Sequence, residues 1–283
     1  MMTKTIPFAK FHGLGNDFIV VGAKDLPHAL AGFVTAILDR HTGVGADGLL
    51  LVLPPRDRPN DARIRFFNAD GSEAEMSGNG IRCVGAFLAE LAPRKRTFLI
   101  ETLAGVKSLE KGGGKGRLMF RVGMGAPVLE PARIPFKAGK LAPPIKGFKL
   151  RTALGVHQVT VTSMGNPHCS IFVPDYKSLD WESVGRAVEL SPLFPNRTNV
   201  EFVRVISRQE IEVRFWERGV GHTLSSGTGS CAAAVASILN GLTERQVGVQ
   251  TEAGSLMVAW PENGEITLKG PVEGIASGIY NWQ

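Results

Sequence analysis

Two short stretches of the chain set a serine ahead of a glycine turn: Ser77-Gly-Asn-Gly80 and Ser226-Gly-Thr-Gly229. Both stand before runs of helical character. A glycine turn that opens a helix leaves the first backbone N–H groups unpaired at the positive end of the helix dipole. Such a turn binds anions, a small carboxylate as readily as a phosphate. Neither stretch fits GxxxxGK[ST] or a strand-borne GxGxxG with its acidic partner, so nucleotide binding has no support. Around the turns lie Asn16, Asn68, Asn79, Asn166, Asn199 and the pair Glu217-Arg218. Arg218 can grip a carboxylate bidentately, and Glu217 with asparagine carbonyls can hold an ammonium; together they read the charged ends of an amino acid. Any one of these asparagines alone reads as a turn residue, and either serine alone as a helix N-cap. Their number beside two matching turns favours the binding role. No Gly-x-Ser-x-Gly elbow is present, so a Ser-His-Asp hydrolase is not indicated.

The elements that must position these residues come twice. Arg65-Phe-Phe-Asn68 matches Arg214-Phe-Trp-Glu217, the two serine turns match each other, and Thr102-Leu-Ala-Gly105 matches Thr251-Glu-Ala-Gly254, all at an offset of 149 residues. Gly15-Asn16 and Gly165-Asn166 follow at 150, one loop residue apart from that register. Four matches in register point to a duplicated chain. Alternating or β-branched runs predict strands at 18–21, 63–68, 98–102, 118–122, 156–162, 169–173, 200–205 and 210–216. After each serine turn the period changes: Ile81, Val84, Phe87, Leu88 and Leu91 recur at helical spacing, and 231–239 is Ala-rich and apolar on every face. A helix apolar all round has to be enclosed, so each half is expected to curl its strands around one central helix. The Pro/Gly-rich segment 123–147 contains the linker.

At 283 residues and 43% hydrophobic, the chain can bury a sizeable core, which excludes disorder. No stretch approaches the ~18 apolar residues of a membrane span. The first residues, MMTKTIPFAKFHGLGNDF, hold no apolar run of signal-peptide length, so a cytoplasmic enzyme is expected. Three cysteines without CxxC spacing indicate neither a disulfide framework nor a zinc site. The formal charge of +6 is uneven, because residues 107–151 carry eleven Lys/Arg against Glu110 and Glu130. That stretch has almost no aromatic residues to stack on bases, so it reads as a solvated connector and not as a nucleic-acid surface.

Taken in order, Phe11-His-Gly-Leu-Gly-Asn-Asp-Phe18, Gly43-Val-Gly-Ala-Asp-Gly48, Phe67-Asn-Ala-Asp-Gly71, Gly78-Asn-Gly-Ile-Arg-Cys83, Gly165-Asn-Pro-His168, Arg197-Thr-Asn-Val-Glu-Phe202, Glu217-Arg-Gly219 and Gly227-Thr-Gly229 resemble the diaminopimelate epimerase family over nearly the whole chain. The resemblance implies an α+β (mixed α/β) fold of two pseudo-symmetric halves, each a curled mixed sheet around a central helix. The expected division is 1–127 plus 272–283 against 128–271, with the substrate between them. It also implies a homodimer and inversion of an α-carbon without cofactor or metal. By resemblance, Asn16, Asn68, Asn166, Asn199 and Arg218 fix the non-reacting carboxylate and ammonium of an amino-acid substrate. The amides of Gly78, Asn79, Gly227 and Thr228 then meet the reacting carboxylate as the α-proton leaves. His168 shapes the site.

The family's acid and base are two cysteines, one immediately before each Gly-x-Gly. Both catalytic positions are serine here, Ser77 and Ser226. A thiol of pKa ~8.5 can be lowered into a thiolate at a helix N-terminus, whereas a hydroxyl stays protonated without a neighbouring base. Cys83 and Cys231 lie more than a helical turn further on and read as structural. His222 stands where the family commonly has Glu and is a candidate replacement base for Ser226, or a loop histidine without a catalytic task. Three readings follow: an epimerase of diaminopimelate working with serines; an isomerase, dehydratase or racemase on another amino-acid-like substrate; or a ligand-binding protein whose cysteines were lost or deliberately exchanged.

Overall fold

The computed structural model describes residues 4–26, 30–74, 77–114, 117–137, 139, 141–262 and 264–282. By its contacts the chain divides into Met1–Gly123 with Lys269–Gln283, and Met124–Leu268. Unit 1 holds β1 (Lys4–Gly13), β2 (Asn16–Gly22), α1 (Leu30–Leu38), β3 (Gly48–Leu53), β4 (Ala62–Asn68), β5 (Glu73–Ala74), α2 (Gly78–Leu91), β6 (Thr97–Thr102), β7 (Gly105–Gly114) and all but the last two residues of β8 (Arg117–Gly125). Unit 2 begins with β9 (Ile145–Thr152), β10 (Gly155–Ser163), β11 (Pro167–Phe172), α3 (Trp181–Glu189) and β12 (Asn199–Ser207). It continues through β13 (Glu210–Glu217), β14 (Gly221–Thr223), α4 (Gly227–Leu239), β15 (Gln246–Thr251) and β16 (Gly254–Ala259). The last strand, β17 (Ile266–Trp282), starts in unit 2 and ends in unit 1, where it pairs antiparallel with β1.

The duplication read from the sequence recurs strand by strand. β1 and β2 are antiparallel, β2 and β3 parallel, β3 and β4 antiparallel, β4 and β6 parallel, and β6 and β7 antiparallel. The same five relations hold for β10–β11, β11–β12, β12–β13, β13–β15 and β15–β16. The fold is therefore α+β in two pseudo-symmetric halves with mixed sheets. In each, the helix after the serine turn is the central one. α2 packs on β1, β2, β3 and β7, and α4 packs on β10, β11, β12, β13, β15 and β16. Alanines at 232, 233, 234 and 236, all fully buried, let strands approach α4 from every side. Where α2 nears β7 and β8 the fit depends on Gly85, because a Cβ there would lie 2.8 Å from Leu109 and 3.0 Å from Phe120. Helices α1 and α3, neither anticipated from the sequence, cover the outer faces in two further cores built around Phe33, Val34 and Ile37 and around Val184 and Val188. No helix among the described residues is long and apolar enough to cross a membrane.

Two polar assemblies fix the start of α2 and the turn beside it. Arg82 is fully buried; its guanidinium donates to the carbonyls of Gly78 (2.9 Å) and Pro271 (3.2 Å) and to Asn79 Oδ1 (2.8 Å). It therefore ties the first turn of α2 to β17. Asp17 and Asp47 exchange amide-to-carboxylate bonds of 3.0 and 3.1 Å, and Arg40 bridges both side chains at 2.8 and 2.7 Å. Lys10 adds a 3.0 Å ion pair to Asp17. Burial raises the Asp17 carboxyl, but the bonds from Arg40, Lys10 and the Asp47 amide outweigh it and hold it at about 2.

Two outcomes follow. Arg82→Met keeps the volume and strands the acceptors, so equilibrium urea unfolding should show a loss on the order of 3 kcal/mol; a loss below 1 kcal/mol would show that Arg82 does not hold the turn. Because Asp17 titrates lower folded than unfolded, its contribution of about 2 kcal/mol is complete above the unfolded value near 4 and disappears as pH falls towards 2. The stability gap between the native protein and Asp17→Asn should close across that window, and a gap that does not narrow would contradict the assignment.

Candidate active site

In unit 1, Ser77 is the N-cap of α2, with extended backbone (φ −126°, ψ 126°) and Oγ accepting from the Gly80 amide at 3.0 Å. The first-turn amides of Gly78 and Asn79 have no intrahelical acceptor. They sit in buried backbone, where a bound anion would meet them free of competing solvent. Asn79 links this turn to the β1–β2 turn: its Nδ2 approaches Asn16 Oδ1 at 3.4 Å, and Asn16 Nδ2 donates to Asp47 Oδ2 at 2.7 Å. That turn bends through Leu14 (φ 55°) and Gly15 (φ 83°), and the Gly15 amide bonds His12 Nδ1 at 3.3 Å. The structure thus joins Asn16, Asn79 and the Ser77 turn in one polar chain. Asn68 ends β4 apart from that chain, with Nδ2 on Ser72 Oγ at 2.9 Å.

In unit 2, Ser226 caps α4 in the same way, with φ −136°, ψ 128° and Oγ accepting from the Gly229 amide at 3.2 Å. Ser230 Oγ donates back to the Ser226 carbonyl at 2.6 Å, and the first-turn amides of Gly227 and Thr228 are left open. Glu217, the counterpart of Asn68 in the duplicated register, lies against Ser226. Burial raises its carboxyl above the ordinary value, against the opposing pull of the Ser226 hydroxyl and of His168. The two halves differ here: unit 2 sets a titratable carboxyl beside its serine, and unit 1 has an amide at the equivalent place. Ser225 Oγ, next in the chain, is buried without a hydrogen-bond partner.

Three asparagine-linked turns frame this end of unit 2. His168 is fully buried, with Nδ1 2.6 Å from Glu201 and Nε2 2.9 Å from Asn166 Oδ1, so its ring sets the Asn166 side chain. Asn199 donates to the Pro167 carbonyl and accepts from the Arg218 amide, both at 3.0 Å. Its side chain therefore brackets two site turns, and its amide is already engaged. Arg218 is exposed, held at one end by the Asn196 carbonyl at 3.3 Å. His222 faces elsewhere: Nε2 meets Glu252 at 2.5 Å, Nδ1 lies 3.9 Å from Glu182, and the ring stands edge-on to Trp181. Strand alternation explains this, since His222 is paired with Trp216 while its neighbours Gly221 and Thr223 pair with Glu217 and Phe215.

All three cysteines are buried. Burial pushes the Cys83 thiol up to about 12 and Cys169 well above its ordinary value, which leaves neither as a nucleophile at neutral pH. Sequence reasoning missed Arg82, Asp47 and Glu201, which touch the candidate residues from behind. For Arg82 and Glu201 the available signal was a charged residue inside an otherwise apolar helix or strand; Asp47, in the loop before β3, carried no such signal. In unit 1 the open amides can meet a carboxylate; in unit 2 the open amides and Arg218 can do the same, and Glu217 can meet an ammonium.

The profile of the diaminopimelate epimerase family matches residues 8–130 and 160–275, one segment in each half of the duplication. A diaminopimelate epimerase of Pelotomaculum thermopropionicum is 46% identical, covering 98% of this chain and 99% of its own. That of Desulforudis audaxviator is 44% identical over 96% and 98%. Among solved structures, a hydroxyproline epimerase from Agrobacterium vitis superposes with a TM-score of 0.69 at 14% identity, covering 98% of this chain and 93% of its own. A methylitaconate-delta-isomerase does so at 0.65 and 14%, covering 98% and 95%. The last two share the fold. With a family profile that follows the duplicated frame through both halves and relatives this similar end to end, the chain belongs to the diaminopimelate epimerase family.

Proposed function

We propose that the protein is a cofactor-independent epimerase of diaminopimelate, acting in the cytoplasm as a homodimer. The observation that carries this reading is the pair of serine-capped, glycine-opened helices at equal positions in the duplicated chain. Inverting an α-carbon requires removing a proton from one face and returning one to the other. Two copies of a proton-handling position next to open amides meet that need. The amides of Gly78, Asn79, Gly227 and Thr228 take up the charge that develops on the reacting carboxylate as the α-proton leaves. Asn16, Asn68, Asn166, Asn199, Glu217 and Arg218 hold the far amino-acid end, Asn199 by placing Arg218 and the Pro167 carbonyl. Ser77 and Ser226 occupy the acid and base positions, with a hydroxyl where the resemblance to the family implies a thiol.

A second reading is favoured by the difference between the halves. Among the described residues Ser226 has a carboxyl beside it, Glu217, that can relay a proton through the hydroxyl, whereas the equivalent place in unit 1 is taken by Asn68. Such one-sided chemistry suits an isomerisation or dehydration, in which one face of the carbon needs no proton.

Proton NMR in heavy water with LL-diaminopimelate distinguishes them. Slow loss of the α-proton signal with appearance of the meso isomer is expected for the epimerase. Exchange without the meso isomer supports the one-sided reading, and binding without exchange reduces the protein to a ligand holder. Ser77→Cys with Ser226→Cys should raise exchange by about 100-fold or more, since it returns an ionisable pair to the capped helix starts. A folded double variant with no gain would refute the epimerase reading.

A further inference from the structure

We infer that Glu189, 28 residues before Glu217, is a positioning residue that sets the Glu217–Arg218 turn for ligand; this rests on the reading of that turn as the amino-acid binder. Glu189 is the last residue of α3 and is 5% exposed. An acidic residue in the last helical turn opposes the dipole, and burying its charge adds to the cost. Its position breaks a local rule, and such breaks mark function when the surroundings compensate. Here they do. Oε1 accepts from the Gly219 amide at 2.8 Å and faces Arg197 at 3.5 Å, while Oε2 accepts from Trp216 Nε1 at 2.8 Å.

These partners flank the binding residues on both sides. Trp216 precedes Glu217, and Gly219 follows Arg218. The turn closes with the Val220 amide on the Glu217 carbonyl at 3.1 Å and needs the positive φ of Gly219 (76°). Arg197, itself in the left-handed region (φ 56°), leads into Asn199, which accepts from the Arg218 amide. One carboxylate therefore fixes both the turn and the loop that brackets it.

The rest of α3 acts in the same direction. Glu182, Gly185 and Glu189 share one helix face. Glu182 and Trp181 meet His222. At Gly185 the helix approaches Trp216 so closely that a Cβ would lie 2.8 Å from its side chain. This face clasps the whole β13–β14 hairpin, which explains why His222 is turned away from Ser226.

The test is calorimetric titration of LL-diaminopimelate into the native protein and variants. Glu189→Gln, isosteric but uncharged, should weaken binding at least tenfold. Val188→Ala, a core truncation one residue away, should lower Tm while keeping Kd within twofold. In an Arg218→Ala background, Glu189→Gln should add less than threefold, because it acts through the turn that carries Arg218. Should Glu189→Gln fail to fold, Glu189→Asp keeps the charge with a shorter reach and should weaken binding at least threefold. Unchanged affinity in the Glu189 variants, an equal loss in Val188→Ala, or full additivity with Arg218→Ala would overturn the inference. If the native protein binds no diaminopimelate, the ligand reading is what fails. The clamp is then judged by hydrogen exchange of the Gly219 amide, which should be at least tenfold faster in Glu189→Gln; no change would overturn it.

Discussion

A helix that begins inside a protein presents its first amides to the interior with nothing in its own backbone to accept them. Both halves of this fold are organised around that constraint. α2 and α4 are enclosed by strands, so their starts lie in buried backbone at Gly78, Asn79 and Gly227. Each serine cap accepts one amide, that of Gly80 or Gly229, and leaves the two before it open. The remaining architecture holds these starts still: Arg82 from below, the Asp17–Asp47–Arg40 cluster beside the Asn16 turn, and α3 behind the Glu217 turn.

Duplication supplied the frame, and divergence then distinguished its halves. Asn68 and Glu217 hold equivalent places at the ends of β4 and β13, yet Asn68 is bound to Ser72 while Glu217 rests against Ser226. The covering helices differ as well. α1 contributes a mainly apolar surface, whereas α3 contributes Glu182 and Glu189, which reach into the hairpin. In unit 2 the turn after β13 is thereby tied to its covering helix through Glu189.

Much of this was legible in the sequence because it depends on local patterns. The offset of 149 between the serine turns is also the offset between α2 and α4, and between β6 and β15. The apolar run 231–239 announced an enclosed helix. The expected division at 127/128 and 271/272 compares with the contact boundary at 123/124 and 268/269. What the sequence hid was long-range. Nothing local tells that Arg82 would reach Pro271, that His222 would take Glu252, or that Asn199 would use its amide on Pro167 and Arg218. Helices α1 and α3 escaped notice for another reason: at nine residues each they are too short for a periodic pattern to stand out.

The exchange of thiol for hydroxyl can be weighed against what the helix starts offer. A thiol needs its pKa lowered by one or two units to act at neutral pH, about 1.4–2.7 kcal/mol, and a helix terminus in a partly buried setting supplies up to about 2 kcal/mol. A hydroxyl resembling that of water titrates far above a thiol and would need on the order of 10 kcal/mol. No helix dipole supplies that. The helix start alone therefore does not make an alkoxide of Ser77, whose oxygen accepts from the Gly80 amide. Ser226 stands differently, because Glu217 can receive its proton without an alkoxide ever forming. Burial, which raises the Glu217 carboxyl, makes it the better proton acceptor. The hydroxyl of Ser226 thus has a buried carboxyl beside it, while the place equivalent to Glu217 in the Ser77 half holds Asn68, an amide that takes up no proton.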